Sequence, residues 1–338
     1  MFNSNDPYDV EIWQNNYETT GKFLKADPWK YFSDNNMLIY YVSDYATMCF
    51  CVLSKPTEEP LSIKIFEDQR MALNYLDAKY KNNIKDNDFS DYYFEYTEVL
   101  FDKPENIPEE QLEIYSDFNV FTNKEELLPL YILRNSGFKP ILCCYDDLLI
   151  INEILEQVVV IINKINYGEL STNTNEGFFG YVYYNQNIHT WDYDETHIDS
   201  DFNSFHRFYL DGEELINEIK DTPINSHSVE LDLFYLNGEK YCIYERRQKK
   251  LLILSFVDRE TRKLLDFTVI EEPERVPYII ADFVTNDYIP KYGRMKKILY
   301  RSNIVLPSLI KLFGLFGIDM EYDNLYATDE SINELGFM

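Results

Sequence analysis

The chain has 338 residues, of which 45% are hydrophobic and 16% aromatic, and its formal net charge is −28 at pH 7. This content of apolar side chains excludes a disordered protein, and the length favours two domains over a single core. The excess of acidic side chains, 59 against 31 basic ones, opposes attraction to a phosphate backbone, so the sequence disfavours direct nucleic-acid binding.

The acidic side chains are concentrated in the first part of the chain. Residues 1–200 hold 35 acidic and 14 basic side chains, a net charge of −21, whereas residues 201–338 hold 24 and 17, a net charge of −7. The five cysteines form no CxxC pair, and no apolar run approaches the roughly 18 residues of a membrane span. We therefore expect a cytoplasmic protein that does not bind membranes.

Apolar spacing and turn residues predict the elements of the first part. Cys49 and Cys51 alternate within a predicted strand, which places both thiols on one face of a sheet. In chain order, the predicted elements are a helix over Asp9–Leu24, a hairpin of Met37–Tyr41 and Thr47–Leu53, a strand over Pro60–Phe66, a helix over Asp68–Tyr80, strands over Tyr92–Phe101 and Phe118–Phe121, an extended piece from Leu127, and a long helix over Asp146–Ile165.

The second part begins with strands and ends with alternating helices and strands. Asn237-Gly238 lies between two predicted strands and is a hairpin signal. The predicted strands are Phe178–Tyr184, Phe205–Leu210, Val229–Tyr235, Tyr241–Tyr244, Leu251–Val257 and Leu264–Ile270. They are followed by a helix at Arg275–Val284, a strand at Lys297–Arg301, a helix at Leu306–Phe316, a strand at Ile318–Tyr322 and a helix from Thr328.

The polar segment Tyr167–Glu176 has the composition of a linker and lies at mid-chain, so the predicted domain boundary falls there. We expect an acidic α+β domain over residues 1–170, closed by the long helix, and a second α+β domain over residues 177–338. The predicted fold class is therefore α+β, with a mainly antiparallel sheet packed by helices in each domain and a small α/β unit at the end of the second.

Short motifs near both ends of the chain support a family resemblance. They are Pro28-Trp29-Lys30, Leu128-Pro129-Leu130-Tyr131, Gly137-Phe138-Lys139-Pro140, Val276-Pro277, Gly293, Ile298 to Arg301, Leu306 to Leu312 and Gly317-Ile318. With them the chain resembles an uncharacterised bacterial family of two-domain proteins of unknown function, in which a domain with the Pro-Trp pair precedes a small α/β domain. The resemblance implies an α+β cytosolic protein, and it implies no functional residues.

The histidines suggest one candidate site. His189 and His197 flank an acid-rich run that continues to Asp199, and imidazole and carboxylate groups are ligands of Zn²⁺, Mn²⁺ and Fe²⁺. The spacing of His189, His197 and His206 matches neither the helical zincin pair nor a zinc finger, so a solvated acidic loop is the default interpretation. A divalent-metal site formed by His189, His197 and Asp199 is the alternative, and no other cofactor is predicted.

Motifs for other chemistry are absent from the sequence. There is no Gly-x-Ser-x-Gly elbow and no phosphate-binding glycine loop, so no catalytic residues are assigned. Cys49, Cys51, Cys143 and Cys144 lie in apolar or strand segments, which favours buried structural thiols over a nucleophile. The basic segment Glu245–Lys250 is interpreted as a solubilising hairpin turn.

Two functional hypotheses follow from the sequence. The leading one is a noncatalytic binding or regulatory protein whose acidic first domain engages a basic protein partner, with imitation of nucleic acid by the acidic face as one form of it. The competing hypothesis is a metal-dependent hydrolase that uses the His/Asp-rich segment 189–206.

Overall fold

The computed structural model describes residues 7–32, 37–42, 47–54, 61–80, 93–117, 127–172, 178–185, 187, 189–197, 213–236, 241–244, 247–301 and 306–334. Its contacts divide the chain into two compact units. The first comprises Met1–Leu76, Phe94–Asn135 and Pro140–Asp199, and the second comprises Asp77–Tyr93, Ser136–Lys139 and Ser200–Met338. Each unit has its own main sheet.

The first unit is built on a single mostly antiparallel sheet. Its strands are β1 (Met37–Val42), β2 (Thr47–Ser54), β3 (Leu61–Phe66), β4 (Tyr96–Asp102), β5 (Leu128–Arg134), β6 (Ile141–Leu142), β7 (Phe178–Asn185) and β8 (Thr190–His197). Its helices are α1 (Pro7–Ala26), α2 (Gln69–Tyr80, which begins in this unit), α3 (Glu109–Asp117) and α4 (Tyr145–Asn166). The strand order is β6-β5-β4-β3-β2-β1-β7-β8, and only β1 and β7 pair in parallel.

The core of the first unit lies between one face of this sheet and the helices α1 and α4. The apolar residues of α4 recur at helical spacing, so one side of the helix is buried along its whole length. The side-chain carboxylate of Asp147 accepts a hydrogen bond from the backbone N–H of Cys144 at 2.7 Å, which caps the helix and explains its start at Tyr145. Cys49 and Cys51 are both fully buried in this core, which confirms that they share a face.

The last two strands of this sheet, β7 and β8, lie beyond the predicted end of the first domain. The sequence assigned Phe178–Tyr184 to the second domain, whereas β7 pairs in parallel with β1 of the first unit and β8 follows it at the sheet edge. Gly180 permits this pairing, because a Cβ there would lie 2.6 Å from Leu38 Cδ2 and 2.5 Å from Tyr193 Cε2. The second domain was predicted to begin at residue 177, but the structure places β7 and β8 in the first unit.

The second unit is built on a mixed sheet. Its described elements are α5 (Glu213–Asp221), β9 (Ser228–Tyr235), β10 (Tyr241–Tyr244), β11 (Arg247–Lys250), β12 (Leu252–Asp258), β13 (Lys263–Ile270), α6 (Val276–Asp282), a π-helix (Phe283–Tyr288), α7 (Ile289–Tyr292), β14 (Lys297–Tyr300), α8 (Leu306–Leu315), β15 (Asp319–Tyr322) and α9 (Tyr326–Glu334). The order is β13-β12-β9-β14-β15, with the first three strands antiparallel and the pairs β9/β14 and β14/β15 parallel.

The structure confirms the predicted fold class. The eight-stranded sheet is mostly antiparallel, and the five-stranded sheet is antiparallel from β13 to β9 and parallel from β9 to β15. Helices pack on both sheets, and the parallel β14–α8–β15 segment is the small α/β unit expected at the end. The hairpin was expected at Asn237-Gly238, which lie outside the described residues, and the strands that flank them do not pair with each other, because β9 pairs with β12 and β14 and β10 pairs with β11. Elements that the sequence did not predict are α3, α5, α7, β6, β8, β11 and the π-helix, while the strands predicted at Phe118–Phe121 and Phe205–Leu210 lie outside the described residues.

None of the described helices combines the length and the apolar content that a membrane crossing requires.

Candidate functional site

An acidic surface lies on α3 of the first unit. The helix is held by its other side, where Gln111, Ile114 and Tyr115 are buried. Gln111 Nε2 donates to the carbonyl oxygen of Pro129 at 2.7 Å, and the Tyr115 hydroxyl donates to the same oxygen at 2.5 Å. These two hydrogen bonds attach α3 to β5 and so fix which side of the helix faces solvent.

The solvent side of α3 carries only negative charge. We define the acidic ridge as Glu105, Glu109, Glu110, Glu113 and Asp117, all of which are exposed. Glu105 belongs to the turn before the helix, and α3 itself contains no basic residue. Within the described part of the chain, none of the five carboxylates has an ion-pair partner. The ridge is therefore a fixed surface of uncompensated charge.

The histidines predicted to bind a metal are separated in the structure. His189 is exposed in the turn before β8, and His197 is the last residue of that strand. Eight residues of extended chain span about 26 Å, whereas metal–ligand bonds are about 2 Å long, so the two histidines do not bind one ion in this fold. Asp199 and His206 lie outside the described residues, as does the side chain of His197.

The acidic run after His189 is also a strand and not the solvated loop expected from its charge. Trp191 and Tyr193 alternate with Asp192 and Asp194, which is the period of a strand with one buried face. Tyr193 is 9% exposed and packs in the core, and Trp191 packs against that core. The burial of Trp191 and Tyr193 stabilises this segment as a strand, although its acidic side chains suggested a loop.

The described cysteines lack the properties of a nucleophile. Burial raises the pKa of Cys49 to about 12, and burial also raises the pKa of Cys51 and of Cys143. Cys144 is exposed, but its pKa is raised as well, by partial burial and by Asp147. A thiol with a raised pKa carries little thiolate at neutral pH. The buried thiols that the sequence favoured are found at Cys49, Cys51 and Cys143, whereas Cys144 is exposed.

The described residues of the second unit contain a compact group of metal-ligand types at one end of its sheet. His227 precedes β9, Asp258 ends β12, and Glu260 lies in the turn that follows. One ligand atom from each residue lies within 4.8 Å of the other two. The antiparallel pairing of Asp258 with Val229 brings the start of β9 beside the end of β12, and so brings His227 and Asp258 together. We refer to these three residues as the His227 group.

Hydrogen bonds orient each member of the His227 group. His227 Nδ1 and Asp258 Oδ2 are 2.5 Å apart, and Asp258 Oδ1 accepts from Thr261 N at 2.7 Å and from Thr261 Oγ1 at 2.8 Å. Glu260 Oε2 accepts from the backbone N–H of Ser228 at 2.8 Å. The turn is closed by Arg262 at φ 58°, in the left-handed region. The side chains are thus held in place by backbone that belongs to the sheet.

The charges of His227 and Asp258 are coupled. The hydrogen bond that His227 donates to Asp258 raises the pKa of His227 above its ordinary value, and partial burial opposes this only in part. Burial acts to raise the pKa of Asp258, but the bonds from His227 and Thr261 outweigh it and leave that pKa lowered. Both shifts favour an imidazolium–carboxylate pair.

A π-helix lies beside the His227 group. It contains Tyr288, which is buried at 2% exposure and whose hydroxyl accepts a hydrogen bond from Asn225 Nδ2 at 3.2 Å. Asn225 Oδ1 in turn accepts from the backbone N–H of His227 at 2.9 Å. Single turns of π-helix occur frequently at functional sites. The sequence analysis missed the His227 group because it predicted that β9 pairs with β10. Only the pairing of β9 with β12 brings His227 and Asp258 together.

Comparison with known protein families agrees with the division into two α+β domains. Residues 13–180 match a family model described as Domain of unknown function (DUF7309), and residues 215–336 match one described as Domain of unknown function (DUF6930). The chain is therefore a two-domain protein that carries these two domains of unknown function. No curated protein and no solved structure matches it.

Proposed function

We propose that this is a noncatalytic binding or regulatory protein whose first domain engages a basic protein partner. The observation that carries the proposal is the acidic ridge, where five exposed carboxylates have no ion-pair partner among the described residues. The net charge of −21 over residues 1–200, from 35 acidic and 14 basic side chains, adds to the attraction at longer range. The same charge opposes direct binding to nucleic acid.

The geometry of the ridge suits such a partner. A nine-residue helix is about 13 Å long, and the Debye length is about 8 Å at physiological ionic strength, so the potentials of neighbouring carboxylates overlap. Because Gln111 and Tyr115 already fix the helix to β5, little conformational entropy is lost when the ridge binds. Lysine and arginine side chains of a partner could bind these carboxylates directly, because no ion pair among the described residues has to be broken first.

The proposal includes a cytoplasmic location and a bacterial origin. Cys49, Cys51, Cys143 and Cys144 are free thiols, which is usual for proteins of a reducing compartment. The bacterial origin rests on the family resemblance of the sequence motifs.

The test compares two variants of equal charge. In the ridge variant, Glu109→Gln, Glu110→Gln, Glu113→Gln and Asp117→Asn remove four exposed charges from α3. The matched control removes four exposed charges from the second unit through Glu218→Gln, Asp221→Asn, Glu271→Gln and Asp287→Asn. Each protein, purified gently from its own host, is analysed by native mass spectrometry for bound proteins.

The expected result is a basic protein in stoichiometric complex with the wild-type and control proteins, and loss of at least about tenfold in affinity for the ridge variant. Added salt should weaken the complex, because the contact is electrostatic. Equal binding by the ridge variant and the control, or the absence of any bound protein from all three samples, would refute the proposal.

A further inference from the structure

We propose that the His227 group is a binding site for a divalent first-row transition-metal ion such as Zn²⁺ or Mn²⁺. The inference is independent of the proposed function, because the group lies in the second unit and the acidic ridge in the first. One imidazole and two carboxylates form a mixed nitrogen and oxygen ligand set. Imidazole binds transition metals in preference to Mg²⁺ and Ca²⁺. The two carboxylates are also suitable ligands for Mn²⁺ and Fe²⁺.

The spacing of the ligand atoms is close to that of a metal site. The three atoms lie within 4.8 Å of one another, and ligands about 2.1 Å from one ion are about 3 to 4.2 Å apart, so small side-chain rotations complete the geometry. His227 Nδ1 and Asp258 Oδ2 are a hydrogen-bonded pair 2.5 Å apart, and a cation would take the place of the proton between them as the two atoms move apart.

In each carboxylate, hydrogen bonds to the protein hold one oxygen atom in place, and the other oxygen atom remains able to bind an ion. Asp258 Oδ1 is held by Thr261, which leaves Oδ2 for the ion, and Glu260 Oε2 is held by the backbone of Ser228. Glu260 Oε1 has no hydrogen bond to any described residue. Such outer hydrogen bonds to ligating carboxylates are the usual support of a metal site, and they distinguish this group from an accidental cluster of surface acids.

The local charge also favours a cation. When His227 is neutral, as a metal ligand must be, Asp258 and Glu260 carry two negative charges. Arg259 between them is directed elsewhere, with its Nη1 2.5 Å from Asp323 Oδ2 and its Nε 3.6 Å from Glu230 Oε1. A divalent ion would therefore balance both carboxylates. Glu260 is exposed and the His227 side chain is 37% exposed, so an ion can enter from solvent, while Asp258 forms the buried floor.

The test uses the full-length protein after removal of metals with a chelator. Calorimetric titration with Zn²⁺, Mn²⁺ and Mg²⁺ is performed on the wild type, His227→Ala, Glu260→Gln and the control His189→Ala, which removes an exposed histidine of the first unit. Glu260→Gln is included because the residue is exposed and its loss leaves packing intact. Circular dichroism confirms that every variant is folded.

We expect one site per chain for Zn²⁺ or Mn²⁺ in the wild type and the His189→Ala control, with Mg²⁺ bound at least about tenfold more weakly. His227→Ala and Glu260→Gln should each reduce the transition-metal affinity by about tenfold or more. The proposal is overturned if the wild type binds no stoichiometric ion. It is equally overturned if His227→Ala binds as tightly as the wild type, since the ions would then be held by the acidic surface in general.

Discussion

Each domain buries a carboxylate on an interior strand of its sheet, but the two carboxylates have opposite environments. Glu98 on β4 is 3% exposed and Asp232 on β9 is 1% exposed. Both are paired with cations, so their equal burial alone suggests similar behaviour. Burial acts to raise both pKa values, yet the pKa of Glu98 is lowered and that of Asp232 is raised, because two cations face Glu98 whereas Asp232 shares its one cation with Asp329.

In the first domain, Glu98 lies between two cations that are themselves enclosed. Lys64 Nζ is 2.9 Å from Glu98 Oε1, Arg134 Nε is 3.0 Å from Oε2, and both basic side chains lie within 6 Å of the ring centroid of Tyr96. Burial acts to raise the pKa of Glu98, but Lys64 and Arg134 outweigh it, and that pKa lies below its ordinary value of 4.5. Glu98 is fully ionised at neutral pH and balances the buried lysine.

In the second domain, Asp232 faces a cation that remains partly in water. Arg301 binds both oxygens of Asp232 and also reaches Asp329 at 2.7 Å, but its side chain is 32% exposed. Burial raises the pKa of Asp232 above 3.8, and the bonds from Arg301 compensate only in part. Two enclosed cations therefore stabilise the ionised form of a buried carboxylate, whereas one partly exposed cation that is shared with a second carboxylate does not outweigh its burial.

The largest effect is expected when the first cluster is broken by Glu98→Gln. The substitution leaves the ammonium group of Lys64 buried without the counter-charge that now lies 2.9 Å away, and with only neutral acceptors such as the hydroxyls of Ser62 and Ser54. Removal of one partner from a buried ion pair costs about 3–5 kcal/mol of unfolding free energy. Denaturant unfolding followed by tryptophan fluorescence measures this, because Trp13, Trp29 and Trp191 all lie in the first unit.

The matched control for that experiment is Glu113→Gln on the acidic ridge. Its side chain is exposed and unpaired among the described residues, so the expected change is within about 0.5 kcal/mol. A loss in Glu98→Gln no larger than in this control would show that Lys64 is solvated in the folded protein.

A smaller effect is expected when the second cluster is changed by Asp232→Asn. Arg301 keeps Asp329 and can turn toward water, and the hydroxyl of Ser255, opposite Asp232 on β12, has no hydrogen-bond partner in the described structure and can accept one from the new amide. We expect a loss of about 1 kcal/mol. Hydrogen exchange of β9 and β12 measures it, with the exposed Asp221→Asn as control. A loss as large as that of Glu98→Gln would refute the comparison.

The sequence predicted those elements in which local periodicity and packing agree. The apolar side chains of α4 recur at helical spacing and all face one core, so its limits were predicted within one residue at each end. The strand β8 was missed because its acidic side chains suggested a loop, although Trp191 and Tyr193 alternate as a buried face does. In this segment the alternation of aromatic and acidic residues predicts the strand correctly, whereas the acidic composition does not.

The charged clusters and the His227 group depend on which strands pair, and the sequence alone did not determine this. Lys64 and Glu98 are directly opposite each other across β3 and β4, yet they are 34 positions apart in the chain. His227 and Asp258 meet only because β9 pairs with β12 and not with β10. Long-range register therefore creates both sites, and no local pattern encodes it.

The smallest expected effect, and the one that sharpens the comparison most, is the pH dependence of the two clusters. The folded-state pKa of Glu98 is lowered, so its ionised form stabilises the first domain above pH 4.5, and this contribution is lost as the pH falls through the folded-state pKa. The folded-state pKa of Asp232 is raised above 3.8, so ionisation there destabilises the second domain, and this penalty disappears as the pH falls.

The unfolding free energy of each wild-type domain, minus that of its isosteric variant, should therefore change with opposite sign from pH 7 to about pH 4. For Glu98→Gln the difference should shrink on acidification, as the wild type loses its advantage. For Asp232→Asn the wild type should instead gain relative to the variant, because the native state takes up the proton more readily than the unfolded chain. Because each variant removes only one titrating group, the differences cancel the many other carboxylates of this acidic chain. Parallel trends in the two domains would mean that Arg301 holds Asp232 as firmly as Lys64 and Arg134 hold Glu98.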